Sequence, residues 1–170
     1  DPDKAKWFNA KYFQAKNDEE LAHLLMPVVQ EKGFQPDFGK LVKIVSLVKE
    51  RVGFVRDLWN EADFFFVAPE SYDHDVVRKR WNNDSPRQMT ELFGIIAGVQ
   101  PFTPEVLEKS VKEWIASKGY NTGAILILFR LLLVGASRGP HLFDIAALIG
   151  RDETLARLGN GISRLASTAS

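Results

Sequence analysis

The chain has 170 residues, of which 45% are apolar and 26% are charged, with 22 basic and 22 acidic side chains. This length is enough for one large domain or two small ones around a hydrophobic core, and the composition is that of a soluble globular protein. The balanced charge excludes a general attraction to nucleic acid or membrane, so such binding requires a local arrangement, and the absence of cysteine excludes disulfides and thiolate zinc sites.

Apolar residues recur at helical spacing along the first half of the chain, which predicts an all-α fold. Asn17 or Asp18 is expected to cap a helix that ends before Gly33. Pro27 lies inside that helix and is expected to kink or divide it. A further helix follows, with Gly53 as its expected break.

The second half is also helical, and a polar, turn-rich stretch at residues 69–86 separates it from the first half. Ser85 is predicted as the N-cap of the next helix, with a proline at the first helical position. Thr103 is predicted to open the following helix and Gly119 to close it. Two strongly apolar helices and a final helix follow, and the motif GNG at 159–161 predicts a turn or a helix break.

Catalytic and metal-binding patterns are missing from the sequence. The three histidines, His23, His74 and His141, are far apart and lack the spacing of metal ligands. There is no phosphate-binding glycine loop, no nucleophile elbow and no cysteine nucleophile. The longest apolar run is interrupted by Arg130 and is too short to cross a bilayer. The sequence therefore predicts no catalytic residue, no metal site and no membrane partner.

The connector GASRGPH at 135–141 places basic residues and a Gly-Pro corner between two apolar helices. It is either a plain helix–helix connection or a surface where backbone groups and an arginine bind a partner. Arg130, which interrupts the preceding apolar helix, also has two interpretations. It pairs with a carboxylate such as Asp144 at the helix periphery, or it joins Arg138 in a binding groove, where an arginine fork could take a phosphate or a base edge.

The basic–aromatic cluster RKRW at 78–81 has two interpretations as well. It is a solvated helix face whose tryptophan anchors the helix to the core, which is the more common arrangement, or it is a nucleic-acid contact. The sequence alone leaves both open.

Three segments carry a resemblance to a known family. KAKWFNAKYF at 4–13 and GASRGPHLFDIAALIG at 135–150 resemble elements of the C-terminal anticodon-binding region of bacterial-type glutamyl-tRNA synthetases. KERVGFVRDLWNEADFFF at 49–66 resembles the family's helix that leads into an aromatic stretch. The matching residues of the first two elements are Lys4, Trp7, Asn9, Tyr12, Gly135, Pro140, Leu142, Phe143, Ile145, Leu148 and Gly150.

The resemblance covers nearly the whole chain and implies two α-helical subdomains, 17–84 and 85–170, preceded by the end of a stem-contact region at 1–16. It implies recognition of the glutamate tRNA anticodon loop, a catalytic domain on the same polypeptide, a monomer and a cytoplasmic location. The family's ATP-holding catalytic motifs are absent here. ATP, with or without Mg²⁺, would therefore be bound by the parent enzyme, and this chain is expected to hold no cofactor and not to charge tRNA by itself.

The resemblance also implies roles for individual residues. The residues implied at the second and third anticodon bases are Arg138, Gly139, Pro140, His141 and Leu142, through backbone groups as much as side chains. Arg130 would contact the anticodon loop. Arg51 would lie near the first anticodon base, with Lys49 in its place if the register shifts by two. His141 stands where the family pattern has a small residue, and its imidazole could stack on a base.

The main alternative is a helical protein–protein interaction module whose apolar grooves accept partner helices without RNA binding. Salt separates the two, because RNA binding weakens steeply with ionic strength and binding in a hydrophobic groove does not. A small helical enzyme is the third alternative, which a bound metal or cofactor in the purified protein would support.

Overall fold

The structure is a computed structural model that describes residues 15–166. These residues form α-helices joined by short turns and contain no strand, so the predicted all-α fold is confirmed. The helices are α1 (Asp18–Glu31), α2 (Phe38–Val48), α3 (Leu58–Ala62), α4 (His74–Arg80), α5 (Ser85–Ala97), α6 (Pro104–Lys118), α7 (Thr122–Val134), α8 (Leu142–Ile149) and α9 (Arg151–Ala166). Short 3₁₀ turns lie at Lys49–Arg51, Val55–Asp57 and Asp63–Phe65. Within residues 15–166, no helix is long and apolar enough to cross a membrane.

The chain divides into two compact units between Val67 and Ala68, whereas the sequence placed the division between residues 84 and 85. Residues 68–84 belong to the second unit because α4 packs against α7. The backbone N–H of Asp73, just before α4, also donates a hydrogen bond of 2.9 Å to the carbonyl of Gly135. The family-matching residues Lys4, Trp7, Asn9 and Tyr12 lie outside the described residues.

The first unit is built on the pair α1 and α2, with α3 packed against both. Asn17 is the N-cap of α1, as the sequence allowed, and its Oδ1 accepts from the Glu20 N–H at 2.8 Å. Of the kink or division expected at Pro27, the division does not occur, because α1 continues through this residue. Pro27 and His23, whose carbonyl loses its usual helical donor, are both exposed, so water can satisfy that carbonyl.

The second unit is arranged around α7, whose apolar residues are buried on nearly every side of the helix. Its most extensive packing is between α9 and α5, and α9 also packs against α7. The predicted break at 159–161 is wrong, since these residues lie inside α9. Gly161 is needed there for close approach, because a Cβ at this position would overlap the Leu132 side chain.

The helix ends of the second unit follow the sequence closely. Thr103 caps α6 and Gly119 closes it in the left-handed conformation with φ of 69°, so both predictions are confirmed. Ser85 is the first residue of α5 and not its N-cap, which is Asp84. The Ser85 side chain is buried and its Oγ accepts from the Asn82 N–H at 2.9 Å, so this hydroxyl closes the preceding turn.

Candidate functional site

The connector loop, residues 135–141 between α7 and α8, starts at a glycine that the structure requires. Gly135 has φ of 83°, which ends α7, and its N–H donates to the Leu131 carbonyl at 2.8 Å. A Cβ on Gly135 would lie 2.8 Å from the Ser71 carbonyl oxygen and 2.9 Å from Pro69 Cβ. The segment that leads into α4 therefore runs directly over this glycine.

Arg130 on α7 braces the far end of the connector loop. Its Nη1 donates hydrogen bonds to the carbonyl oxygens of Pro140 at 2.8 Å and Arg138 at 3.2 Å. Hydrogen bonds from a charged donor are stronger than neutral ones, so this pair fixes the direction of the backbone at the Gly-Pro corner. From the sequence, the expected partner of Arg130 was a carboxylate or a ligand. The structure adds the backbone carbonyls of the connector loop as partners.

A second arginine, Arg157 on α9, supports the start of the same loop, and sequence reasoning missed it. Arg157 is 1% exposed, and its Nη1 donates to the Leu133 carbonyl in the last turn of α7 at 2.9 Å. Its Nε donates to Glu153 Oε1 at 3.0 Å. Burial lowers the pKa of the guanidinium, and the Glu153 bond opposes that shift. One signal was present in the sequence, because Arg157 falls on the apolar stripe of α9 together with Leu158, Gly161 and Leu165.

The connector loop forms one wall of a cleft of 380 Å³ in the second unit, which we call the loop cleft. The polar residues that line it are Ser137 and His141 of the loop, Arg130 of α7, and Glu108 and Lys112 of α6. Lys112 Nζ lies 2.7 Å from Glu108 Oε2, and this hydrogen bond lowers the pKa of the Glu108 carboxyl against the effect of its burial. The cleft thus has donors and acceptors on its walls.

The structure separates the predicted loop residues into two groups. Arg138 and His141 expose their side chains to solvent, and Gly139 is half-buried with φ of 120°. Pro140 and Leu142 are buried, so their side chains pack inward and leave only backbone groups for a ligand. His141 Nδ1 lies 3.5 Å from Asp144 Oδ2 in the first turn of α8.

Lys49 and Arg51, the predicted site residues of the first unit, lie in the 3₁₀ turn after α2. Lys49 Nζ lies 3.0 Å from Asp18 Oδ1 at the start of α1, so this lysine is engaged within the unit. Arg51 is exposed and lines a cleft of 370 Å³ with Arg56 and Asn60. The structure therefore presents Arg51 more openly than Lys49.

The RKRW cluster is a solvated helix face whose tryptophan anchors the helix to the core. Trp81 is 7% exposed and holds the end of α4 in the core, whereas Arg78, Lys79 and Arg80 are exposed. Among residues 15–166, no group of three or more His, Asp and Glu side chains is arranged to hold a metal ion.

Comparison with known proteins identifies the family. The model of the anticodon binding domain family matches residues 20–162. Two similar relatives are the glutamate–tRNA ligases of Bacteroides thetaiotaomicron, 49% identical over 162 residues, and of Porphyromonas gingivalis, 44% identical over 165 residues. These alignments cover 95% and 97% of this chain but only 32% and 33% of the relatives. The chain thus spans about a third of the length of the curated relatives that it matches.

Solved structures agree with the sequence relatives. A crystal structure of a glutamate tRNA ligase from Elizabethkingia meningosepticum, in complex with its amino acid, superposes with a TM-score of 0.90 at 35% identity. The glutamate-tRNA synthetase of Elizabethkingia anophelis superposes with a TM-score of 0.85 at 34% identity. Each superposition covers 96% of this chain and 32% of the solved chain that it matches.

Proposed function

The chain belongs to the anticodon binding domain family, and on this premise we propose that it recognises the anticodon loop of a glutamate tRNA. The bracing of the connector loop by Arg130 carries the proposal. Two loop carbonyls are held by one guanidinium nitrogen, and the exposed side chains of Arg138 and His141 flank them. A loop fixed in this way is a preorganised surface for reading bases.

The chemistry of the loop cleft suits single-stranded RNA. Bases in RNA loops are unstacked, and proteins bind them by stacking and by hydrogen bonds to their Watson–Crick edges. Arg138 offers a planar guanidinium and His141 an exposed imidazole for such contacts. Gly139 is half-buried with φ of 120°, a conformation that favours glycine, and it leaves no side chain between the backbone and a base. We assign the second and third anticodon bases to this loop.

In the first unit, we assign the first anticodon base to Arg51. Its side chain is exposed at a cleft that also contains Asn60, a residue that can both donate and accept hydrogen bonds. The ion pair of Lys49 with Asp18 makes that lysine the weaker candidate.

The whole polypeptide, in this proposal, is a glutamate–tRNA ligase, because the curated relatives carry that name. Its catalytic domain would correspond to the part of the relatives that this chain does not cover, and ATP, with or without Mg²⁺, would bind there. This chain would supply tRNA recognition and not aminoacylation. We further propose that it acts as a monomer in the cytoplasm.

The experiment that tests the proposal compares two RNA stem-loops, one with the glutamate anticodon and one with the second and third anticodon bases changed. We expect the chain to bind the first more tightly and both less tightly as salt rises. Equal binding of the two RNAs would overturn anticodon reading. Absence of binding to either at low salt would favour a protein-binding helical module instead.

A further inference from the structure

The last turn of α4 carries three consecutive cations, Arg78, Lys79 and Arg80, and all three side chains are exposed. Arg78 Nη2 donates to Asp75 Oδ1 at 3.1 Å and is therefore engaged within its own helix. The side chains of Lys79 and Arg80 make no hydrogen bond or ion pair with any residue of the described range 15–166. These two charges are available to a ligand.

Lys79 and Arg80 line a cleft of 290 Å³, which we call the α4 cleft. Two carboxylates, Asp73 and Asp75, line it as well, but both already accept hydrogen bonds. Asp73 Oδ1 accepts from the N–H groups of Asp75 and Val76 at 2.9 and 3.2 Å, and Asp75 accepts from Arg78. Asp75 is paired with Arg78, and the charge of Asp73 is directed to the N–H groups at the start of α4, so Lys79 and Arg80 remain for an anion.

The α4 cleft adjoins the loop cleft. Ile127 and Ser137 line both, so the two clefts are neighbours on either side of these residues. The hydrogen bond from the Asp73 N–H to the Gly135 carbonyl ties the start of α4 to the start of the connector loop. A ligand that occupies the loop cleft and extends past Ser137 therefore reaches Lys79 and Arg80.

From this geometry we infer that Lys79 and Arg80 bind backbone phosphates of the RNA strand whose bases occupy the loop cleft. The inference rests on the proposed function, because it is the RNA chain that links the two clefts. Each base in a single strand is attached to a backbone that carries a phosphate on either side, so a base in one cleft brings a phosphate to the next. Lysine and arginine neutralise such phosphates and release counterions.

Helix stabilisation is the other explanation of these cations. Basic side chains in a last turn interact favourably with the helix dipole, and that role needs no ligand. Removing the charges would then lower the thermal stability of the chain without changing how salt affects RNA binding.

The test uses the double variant Lys79→Gln/Arg80→Gln in the 170-residue chain. The control is Lys43→Gln/Lys109→Gln, which removes two exposed lysines elsewhere and has the same net charge. Binding of the glutamate anticodon stem-loop is measured against salt concentration, together with the thermal unfolding midpoint. For two lost phosphate contacts, the slope of log K against log salt falls by about 1.4, and affinity near about 0.1 M salt falls on the order of tenfold.

We expect the Lys79→Gln/Arg80→Gln variant to show that loss while its preference between the two anticodon sequences is unchanged, because phosphate contacts carry no base identity. A salt slope equal to that of the control variant overturns the inference and leaves the proposed function standing. A lower unfolding midpoint with an unchanged slope also overturns it, in favour of the helix-dipole role. If the unsubstituted chain binds no stem-loop at all, the proposed function fails and this inference fails with it.

Discussion

Arg130 and Pro140 lie ten residues apart in the chain, and Arg130 Nη1 donates a hydrogen bond of 2.8 Å to the Pro140 carbonyl oxygen. The same nitrogen bonds the Arg138 carbonyl, so one guanidinium holds the backbone on both sides of Gly139. The geometry of the connector loop thus depends on a side chain of the preceding helix. Arg130 therefore has a structural role in the connector loop.

Replacing Arg130 by alanine is expected to lower both stability and RNA affinity. The loss of hydrogen bonds from a charged donor costs about 1.5–3 kcal/mol of unfolding free energy, and misplacing the loop costs about 1–3 kcal/mol of RNA binding. Denaturant unfolding and stem-loop titration measure the two. Arg87→Ala, at an arginine of the same unit with 59% of its side chain exposed, is the control. Loss of RNA affinity with unchanged unfolding would contradict the bracing role.

Replacing Gly135 by alanine is expected to destabilise the chain more than replacing Gly119 by alanine. Both glycines have positive φ, so each variant carries left-handed strain of about 1–2 kcal/mol. A Cβ at Gly119 meets no atom within 4 Å, whereas at Gly135 it meets Ser71 and Pro69. Urea unfolding of the two variants isolates the cost of the close approach. Equal destabilisation would show that the segment over Gly135 moves away easily.

Arg157→Met is expected to lower the unfolding free energy by about 2–4 kcal/mol. The Leu133 carbonyl at the end of α7 loses its buried donor, which methionine cannot replace although it fills much of the volume. Arg87→Met is the control, because this exposed side chain makes a surface ion pair with Asp84 and its loss should change stability by less than about 1 kcal/mol. A neutral Arg157→Met would mean that the α7 carbonyl finds another donor.

The Glu108 carboxylate is expected to make the stability of the fold fall in acid. Its pKa is lowered in the folded chain, chiefly by the hydrogen bond from Lys112, so the ionised carboxylate stabilises the fold. That contribution is present above the ordinary pKa of 4.5 and is lost as pH falls through the lower folded value. In Glu108→Gln, the free energy of unfolding should therefore fall less as the pH drops below 4.5, and urea unfolding midpoints at several pH values measure this. Glu105→Gln, which removes an exposed carboxylate of the same helix, is the control.

Arg51→Ala is expected to weaken RNA binding by about 1–3 kcal/mol if its guanidinium contacts a base. Lys49→Ala should affect RNA binding less, because its ammonium pairs with Asp18, and it should cost at most about 1 kcal/mol of stability. Stem-loop titration of both variants compares them directly. A larger loss of RNA affinity in Lys49→Ala than in Arg51→Ala would assign the first anticodon base to Lys49.

Local sequence signals predicted the helix ends well, because caps are determined by a few adjacent residues. The side-chain oxygens of Asn17 and Thr103 accept from an N–H in the first turn of their helices, and Gly119 supplies the positive φ that ends α6. The predicted N-cap at Ser85 is wrong by one position. The Ser85 hydroxyl accepts a hydrogen bond from the Asn82 N–H in the preceding turn, and the sequence gives no sign of this turn.

Two features escaped prediction because they depend on contacts between distant segments. The glycines at 159–161 read as a break, yet Gly161 serves the packing of α9 on Leu132. Arg157 drew no prediction from the sequence, because the carbonyl that it binds on α7 is 24 residues away. The connector loop was recognised as a candidate site from its composition and resemblance, but its dependence on Arg130 through backbone carbonyls required the structure.

The most direct test of anticodon reading by the connector loop is a double-mutant cycle between protein and RNA. Binding is measured for the unsubstituted chain and Arg138→Ala, each with the glutamate anticodon stem-loop and with one changed at the second and third anticodon bases. Direct reading predicts that the RNA change costs less in the variant, with a coupling energy of at least about 0.5 kcal/mol. Additive losses, with the RNA change costing the same in both proteins, would contradict reading of these bases by Arg138.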